Sequence, residues 1–205
     1  GGSHSPSPLN SEAHQGDLSA VLLQNLNPLV NLIRIPKKPI ILMDEWESKI
    51  KAIVENTWNK DVNSLSGVPS WMLVLIKAVL KKTGKEYLTD VWPNLEVFFH
   101  GGISFEPYRE QYKTLIPSNK MHYMETYNAS EGFFGLQDDP ADPSLLMMPD
   151  YGIFYEFIPM DEIDRETPNV VPLWGVETGK NYAVVISTSA GLWRYMIGDL
   201  SLIHI

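Results

Sequence analysis

The spacing of apolar residues changes along this chain, and the change restricts the folds that it can adopt. In the first 84 residues, apolar positions recur at helical spacing over 17–34, 44–60 and 70–83. After Pro93, short apolar runs separated by turn residues are typical of β-strands. The sequence therefore predicts helices first, then a strand–helix–strand segment, and then a mostly antiparallel run of strands.

That order of elements favours an α/β fold with a mixed β-sheet flanked by helices. With 44% hydrophobic residues, a chain of 205 residues can build a sizeable core. Asp44 is the predicted N-cap of the second helix, Gly84 is the predicted C-cap of the third, and 64–69 is a predicted turn. The predicted strands lie at 95–99, 121–126, 152–158, 182–188 and 192–196, and a further predicted helix lies at 104–115.

The two ends of the chain are set apart from the predicted domain. Residues 1–16 are interpreted as a loop or a fragment edge, and 17–199 as part of a single domain. The last six residues, 200–205, can be back-translated into a common library-adapter sequence, so we interpret them as a truncation or a read artefact.

Charge and composition exclude several classes of function. A formal net charge of −9 argues against sequence-independent nucleic-acid binding, which needs a basic surface. The longest apolar run, 71–80, is short and contains Lys77, so no membrane partner is expected. The chain has no cysteine, which excludes disulfides and thiolate metal sites and fits a cytoplasmic protein.

An acidic turn at 127–132 follows one of the predicted strands. Tyr127 could stack on a base, Ser130 could donate a hydrogen bond to a phosphate oxygen, and Glu131 could bind magnesium through a hard oxygen ligand. The alternative is a capped turn in which Glu131 is merely solvated.

A second acidic turn, Gly198-Asp199, also follows a predicted strand. Its carboxylate could accept two hydrogen bonds from the vicinal hydroxyls of a ribose. Upstream, Gly101-Gly102 lies at the carboxyl end of a strand, where glycine lets a flat ligand such as adenine approach the main chain. Each of these two segments, Gly198-Asp199 and Gly101-Gly102, could instead be an ordinary turn that binds no ligand.

Taken together, these segments resemble the acyl-acid amido synthetases of the auxin-responsive promoter (Gretchen Hagen) family. That family belongs to the adenylate-forming superfamily, and the sequence is most similar to its bacterial relatives. The resemblance is carried by Gly101-Gly102, YNASEGFFG at 127–135, YEFIP at 155–159, AGLWRYMIGD at 190–199 and, upstream, SGVPSW at 66–71.

The resemblance implies an incomplete part of the large N-terminal domain of an adenylate-forming enzyme. Such an enzyme joins a small carboxylic acid to ATP, releasing pyrophosphate, and then transfers the acyl group to an amine, commonly an amino acid, to form an amide. The implied cofactors are ATP and Mg²⁺. The family's phosphate loop and C-terminal domain are absent, so we predict that these 205 residues alone have no ligase activity.

Site roles follow from the same resemblance. Tyr127 would pack on adenine, Ser130 would contact the α-phosphate and Glu131 would coordinate magnesium. Asp199 would hold the ribose hydroxyls. The complete predicted binding set is Gly101, Gly102, Tyr127, Ala129, Ser130, Glu131 and Asp199. No catalytic residue is assigned.

One departure from the family leaves other functions open. The third motif usually reads Tyr-Arg-x-Gly-Asp, whereas Met196 occupies the position of the arginine here. Two alternatives are therefore a ligase that forms coenzyme A thioesters and a degenerate nucleotide-binding scaffold. Acyl specificity would come from side chains at 68–74 and 154–157.

Overall fold

The structure, a computed structural model, describes residues 4–6, 14–16, 23 and 25–202, with side chains described at 23 and 25–198. The chain is divided into two compact units, Gly1–Met124 and Glu125–Ile205. Within the described residues, every helix is too short or too polar to cross a lipid bilayer.

The first unit contains most of the helices. They are α1 (Pro28–Ile33), α2 (Lys38–Ile41), α3 (Trp46–Thr57), α4 (Pro69–Thr83) and α5 (Arg109–Leu115), with single 3-10 turns at Leu88–Asp90 and Glu106–Tyr108. Its strands are β1 (His4–Pro6) and β2 (His14–Gly16), which pair antiparallel, and β3 (Ser64–Gly67) and β4 (Val97–Gly101), which pair in parallel.

Local signals set the ends of two helices. Gly84 adopts a left-handed φ of 67° and closes α4, which confirms the predicted C-cap. The predicted N-cap of α3 is wrong by one residue. Glu45 performs that role, because its carboxylate accepts hydrogen bonds from the backbone N–H groups of Glu47 (2.8 Å) and Ser48 (2.6 Å).

The first predicted helix is described only in part. Within 17–34, residues 17–22 and 24 lie outside the described residues, and α1 begins at Pro28. Proline at this position begins the helix instead of kinking it, because its missing N–H is not needed in the first turn. The Asn27 side chain caps it by accepting a hydrogen bond from Leu29 N at 2.9 Å.

Strand β3 replaces the predicted turn at 64–69, which is therefore wrong in its first four residues. Leu65 pairs with Phe98 of β4, and both side chains are buried. Phe98 lies fully buried beside Tyr112, with ring centroids 5.1 Å apart. Pairing with a buried neighbour thus outweighs the weak strand preference of serine and glycine.

The second unit consists mainly of strands, with single 3-10 turns at Met160–Glu162 and Leu173–Gly175. The strands are β5 (His122–Ala129), which begins in the first unit, β6 (Gly132–Leu136), β7 (Leu146–Met147), β8 (Ile153–Pro159), β9 (Val171–Pro172), β10 (Asn181–Thr188) and β11 (Tyr195–Leu202). β5, β6 and β7 pair antiparallel in that order, and a four-stranded antiparallel sheet has the order β11-β10-β8-β9. Parallel and antiparallel pairs together confirm the predicted mixed α/β fold.

The two faces of the four-stranded sheet carry separate apolar clusters. Tyr155 and Ile186 lie on the face that packs against Phe134 of β6. Ile158 and Val185 lie in the other cluster. This alternation has the two-residue period of a strand, so both faces of the central strands are covered.

Gln137 fixes the loop that follows β6. Its buried side chain accepts a hydrogen bond from Glu125 N (3.1 Å) and donates to the carbonyl oxygens of Asp139 (3.0 Å) and Asp142 (2.8 Å). These bonds replace the water that the three backbone groups would otherwise bind.

Replacing Gln137 with leucine should therefore lower the free energy of unfolding by about 2 kcal/mol, because three backbone groups lose their partner. Urea denaturation measures the change. The exposed Gln111 provides the matched control, since Gln111→Leu should change stability by less than about 0.5 kcal/mol. Equal effects of the two substitutions would contradict the role of Gln137.

Candidate functional site

The acidic segment at 127–132 forms one end of a β-hairpin. Strands β5 and β6 are joined by two residues, Ser130 and Glu131, and Ala129 lies opposite Gly132. The predicted turn at 127–132 is therefore wrong in extent. Its outer residues belong to strands because their backbone groups join the ladder between β5 and β6.

A bulge in β6 anchors the aromatic side chain of this segment. Asn128 pairs with Phe133 and Tyr127 pairs with Gly135, so Phe134 is an extra residue between them. The Phe134 ring is buried, and its centroid lies 5.0 Å from that of the half-buried Tyr127 ring. Tyr127 is thus held by the core while part of its ring stays accessible for stacking.

The glycines of the hairpin lie at closely packed positions. A Cβ atom on Gly132 would lie 2.6 Å from Ile153 Cδ1, and one on Gly135 would lie 3.1 Å from the Leu146 carbonyl oxygen. A side chain at 132 would require the flexible end of Ile153 to move, and one at 135 would require the backbone at Leu146 to shift by a few tenths of an ångström. Close packing therefore accounts for the small residues at these two positions without a ligand.

Ser130 and Glu131 are accessible at the tip of the hairpin. Ser130 is exposed, and Glu131 is half-buried. Among the residues that the structure describes, Glu131 has no hydrogen-bond or ion-pair partner. An unpaired carboxylate beside a hydroxyl suits a hard cation that is also held by phosphate and water.

A cation held by protein side chains alone is not supported in the described part of the chain. No group of three or more histidine, cysteine, aspartate or glutamate residues there could hold a metal ion. Magnesium commonly binds through one or two carboxylates while a nucleotide's phosphates and water fill the other positions. Glu131 fits that kind of site.

Gly101 and Gly102 belong to the first unit. Gly101 ends β4, and Gly102 has a φ of 80°, where a side chain would strain the backbone. A Cβ on Gly102 would lie 3.5 Å from Val68 Cγ2, at ordinary contact distance. The backbone conformation accounts for Gly102 without a ligand, and the role of both glycines at a nucleotide stays a prediction.

His100 lies immediately before these glycines and is buried. Its ring stacks on Phe105 with centroids 4.3 Å apart. Burial, aided by the positive charge of Arg109, lowers the pKa of His100 from 6.5 to about 4. Between pH 6.5 and about 4, the imidazole is therefore mostly neutral in the folded chain and mostly protonated in the unfolded chain.

The free energy of unfolding should consequently decrease as the pH is lowered below 6.5. Above pH 6.5 the imidazole is neutral in both states. As pH decreases from 6.5 to about 4, only the unfolded state gains the proton, which favours unfolding. We expect His100 to cost about 2 kcal/mol of unfolding free energy between pH 7 and pH 5.

Urea denaturation at pH 7, 6 and 5 measures this loss. His100→Gln should flatten the pH dependence, whereas Gln111→Leu, an exposed position with no titratable group, should leave it unchanged. The same slope in all three proteins would contradict the effect of His100.

Strand β11 contains the other acidic segment. The predicted turn at Gly198-Asp199 is wrong, because both residues lie within β11 at an irregularity of the ladder. The register moves from Val185 opposite Met196 to Ala183 opposite Leu200, and Gly198 has a φ of 84°. The Asp199 side chain lies outside the described residues. The hairpin of β10 and β11 itself is confirmed.

The structure thus brings some of the predicted site residues together. Tyr127, Ala129, Ser130 and Glu131 share the hairpin of β5 and β6, in the second unit. The backbone of Asp199 is part of the same unit, in the four-stranded sheet. The two glycines of β4 belong to the first unit.

Sequence analysis missed an ion pair on the four-stranded sheet. Arg194 Nε donates to Glu156 Oε2 at 3.0 Å, and the Glu156 side chain is only 19% exposed. Arg194 is the one non-glycine residue with a positive φ, 47°, among the described residues. The available signal was a single carboxylate in the otherwise apolar segment 155–159.

Comparison with known families gives two matches. The GH3 family N-terminal domain matches residues 2–121, and the GH3 family central domain matches residues 146–204. The first match alone covers more than half of the chain.

Two plant enzymes are similar in sequence. Indole-3-acetic acid-amido synthetase GH3.3 of Arabidopsis thaliana is 35% identical over 121 residues, covering 55% of this chain and 20% of its own length. Jasmonoyl–L-amino acid synthetase GH3.5 of Oryza sativa subsp. japonica is 36% identical over 128 residues, covering 54% of this chain and 21% of its own length. The chain therefore spans about a fifth of the length of these relatives.

One solved structure extends the likeness beyond sequence. The GH3.15 acyl acid amido synthetase is similar with a TM-score of 0.67 at 18% identity, over 88% of this chain and 41% of that one. A likeness at this identity concerns the fold. It confirms the predicted α/β fold class.

Proposed function

This chain belongs to the GH3 family, and on that basis we propose that it is part of an ATP-dependent, AMP-forming ligase. The ligase would adenylate a small carboxylic acid and transfer the acyl group to an amine, most simply an amino acid, to form an amide. The observation that carries the proposal is the hairpin tip, where an accessible serine and an unpaired, half-buried carboxylate adjoin a core-anchored tyrosine.

Each residue of the hairpin has a proposed task. Tyr127 packs against adenine, and the Ser130 hydroxyl donates a hydrogen bond to an oxygen of the α-phosphate. Glu131 would hold Mg²⁺, which would neutralise phosphate charge when bound. Preorganised groups of this kind stabilise the charge that develops at phosphorus, so the protein contributes little covalent chemistry.

The remaining proposed contacts lie elsewhere in the sequence. Asp199 would accept hydrogen bonds from the ribose hydroxyls, and Gly101 and Gly102 would border the adenine and acyl pockets. The acid would be recognised by side chains at 68–74 and 154–157, which include the exposed Trp71 and Phe154.

The substrates are proposed at the level of chemical class. The relatives named above are synthetases for indole-3-acetic acid and for jasmonoyl–amino acid conjugates, so the acid varies within the family. Apolar pockets discriminate poorly between acids that differ by one methylene group. We also propose a bacterial, cytoplasmic protein, on the strength of the SGVPSW segment at 66–71 and the absence of cysteine.

Pyrophosphate release tests the proposal. The protein encoded by the complete reading frame that contains these residues should release pyrophosphate from Mg²⁺–ATP only when a suitable carboxylic acid is present. A panel of aryl and alkyl acids, with amino acids or coenzyme A as acceptor, separates an amide-forming from a thioester-forming ligase. No acid-dependent release with any acid would refute a ligase.

Met196 favours one competing function, a degenerate nucleotide-binding scaffold. Such a protein would bind ATP without consuming it. Saturable ATP binding combined with no pyrophosphate release across the whole panel would therefore support the scaffold.

A further inference from the structure

The Glu156–Arg194 ion pair joins two strands that are not neighbours. Glu156 lies on β8 and Arg194 directly precedes β11, while β10 runs between these strands. The side chain of Glu156 is mostly buried and shares its face of the sheet with the buried Val185. A carboxylate in such surroundings requires a partner, and Arg194 supplies it at 3.0 Å.

The backbone of Arg194 is itself constrained. Its φ of 47° is left-handed, a conformation that is strained for a non-glycine residue. Its N–H donates to the Ser187 hydroxyl at 2.9 Å, and Thr188 N donates to the Leu192 carbonyl oxygen at 2.9 Å. Arg194 is thus held by two contacts of its own, to Ser187 and Glu156, and a strained residue held in this way is typical of a functional position.

The first residues of β11 therefore lie between two distinctive features of the backbone. Arg194 and its contacts fix the point where the strand begins, and Gly198 marks the irregularity where its register shifts. The intervening residues pair regularly, with Tyr195 opposite Ile186 and Met196 opposite Val185. Asp199 lies just beyond Gly198, so its backbone follows directly from this short segment, one end of which is tied to Glu156.

We propose that Glu156 and Arg194 are a positioning pair for the nucleotide site, because they set the register of β11 and with it the place of Asp199. This inference rests on the proposed function. Neither side chain is required to touch ATP, and the pair acts through the strand that carries the ribose-binding carboxylate.

The sheet register also predicts how the pair can be rebuilt. Val185 pairs with Glu156 on one side and with Met196 on the other, so residues 156 and 196 share one face. Their Cα atoms are separated by two strand spacings, about 10 Å, which a glutamate and an arginine can bridge together. An arginine at 196 should therefore replace the cation lost from 194.

Three variants test the proposal: Arg194→Gln, Glu156→Gln, and the double variant Arg194→Gln with Met196→Arg. Amide hydrogen exchange of the 205-residue chain reports the order of 195–202. In the protein from the complete reading frame, the KM for Mg²⁺–ATP and kcat are measured by pyrophosphate release.

Each single substitution should speed exchange in 195–202 and raise the KM for ATP about tenfold, with kcat changed less. The double variant should recover most of both losses. Thermal unfolding should change little in Glu156→Gln and in the double variant, whereas Arg194→Gln should lower the unfolding midpoint, because it leaves the mostly buried Glu156 carboxylate without its partner.

Unchanged exchange at 195–202 in both single variants would overturn the proposal. Faster exchange with an unchanged KM for ATP would also overturn it, because the pair would then be structural only. A parent protein that binds ATP but releases no pyrophosphate would refute the ligase, while exchange and ATP affinity would still decide the positioning role.

Discussion

Replacing Glu131 with alanine is expected to lower the rate of acid-dependent pyrophosphate release by about 100-fold, the usual effect of removing one preorganised electrostatic group. The concentration of Mg²⁺ that gives half the maximal rate should rise in the same variant. Because Glu131 has no partner among the described residues, the thermal unfolding midpoint should stay the same.

A matched control separates the site from general charge effects. Glu166 is an exposed glutamate of the same unit, and Glu166→Ala should leave both the rate and the Mg²⁺ dependence unchanged. If Glu131→Ala kept the rate and Mg²⁺ dependence of the parent, the proposed metal ligand would be wrong.

Replacing Phe98 with alanine is expected to lower the free energy of unfolding of the first unit by about 4 kcal/mol. Phe98 is fully buried and touches three other rings, with centroid distances of 5.1 Å to Tyr112, 5.5 Å to His100 and 6.2 Å to Phe105. Alanine would leave a cavity and remove these contacts together. Because domains are stable by only about 5–15 kcal/mol, much of the unit's stability would be lost.

The next residue gives the control for this substitution. Phe99 is 42% exposed and points to the opposite side of β4, so Phe99→Ala should cost less than about 1 kcal/mol. Urea denaturation followed by the fluorescence of the buried Trp92 measures both changes. Similar losses for the two substitutions would contradict the assignment of Phe98 to the centre of the core.

Helix α4 shows what the sequence could predict. Its signals are local, with Pro69 in the first turn, apolar residues at helical spacing and Gly84 at the end. The hairpin of β10 and β11 could be predicted equally well, because apolar runs flank the short turn Ser189-Ala190-Gly191. Such features depend on residues that are close in sequence.

Strand β3 and the hairpin of β5 and β6 show where prediction from sequence failed. Ser64–Gly67 has no strand preference of its own and becomes a strand only by pairing with β4, about 30 residues later. Small and polar residues at 127–135 resemble a long turn, yet most of them join a ladder that contains a bulge. Tertiary pairing decides both cases.

The identity of the site residues stays a prediction, and their geometry could not be predicted from the sequence. The residues of the 127–131 segment were selected from their chemistry, and the structure adds that Ser130 and Glu131 alone form the turn. The Glu156–Arg194 pair joins positions 38 residues apart, so no local pattern could predict it.

The two-residue connection between β5 and β6 also limits how this region can change. The Tyr127 ring, the Ser130 hydroxyl and the Glu131 carboxylate lie on one short hairpin. They are therefore expected to keep their mutual distances when the surrounding protein rearranges. Conformational change during turnover would carry these three groups as a unit. An insertion between Ser130 and Glu131 would separate them, so variation in loop length has to occur elsewhere in the chain.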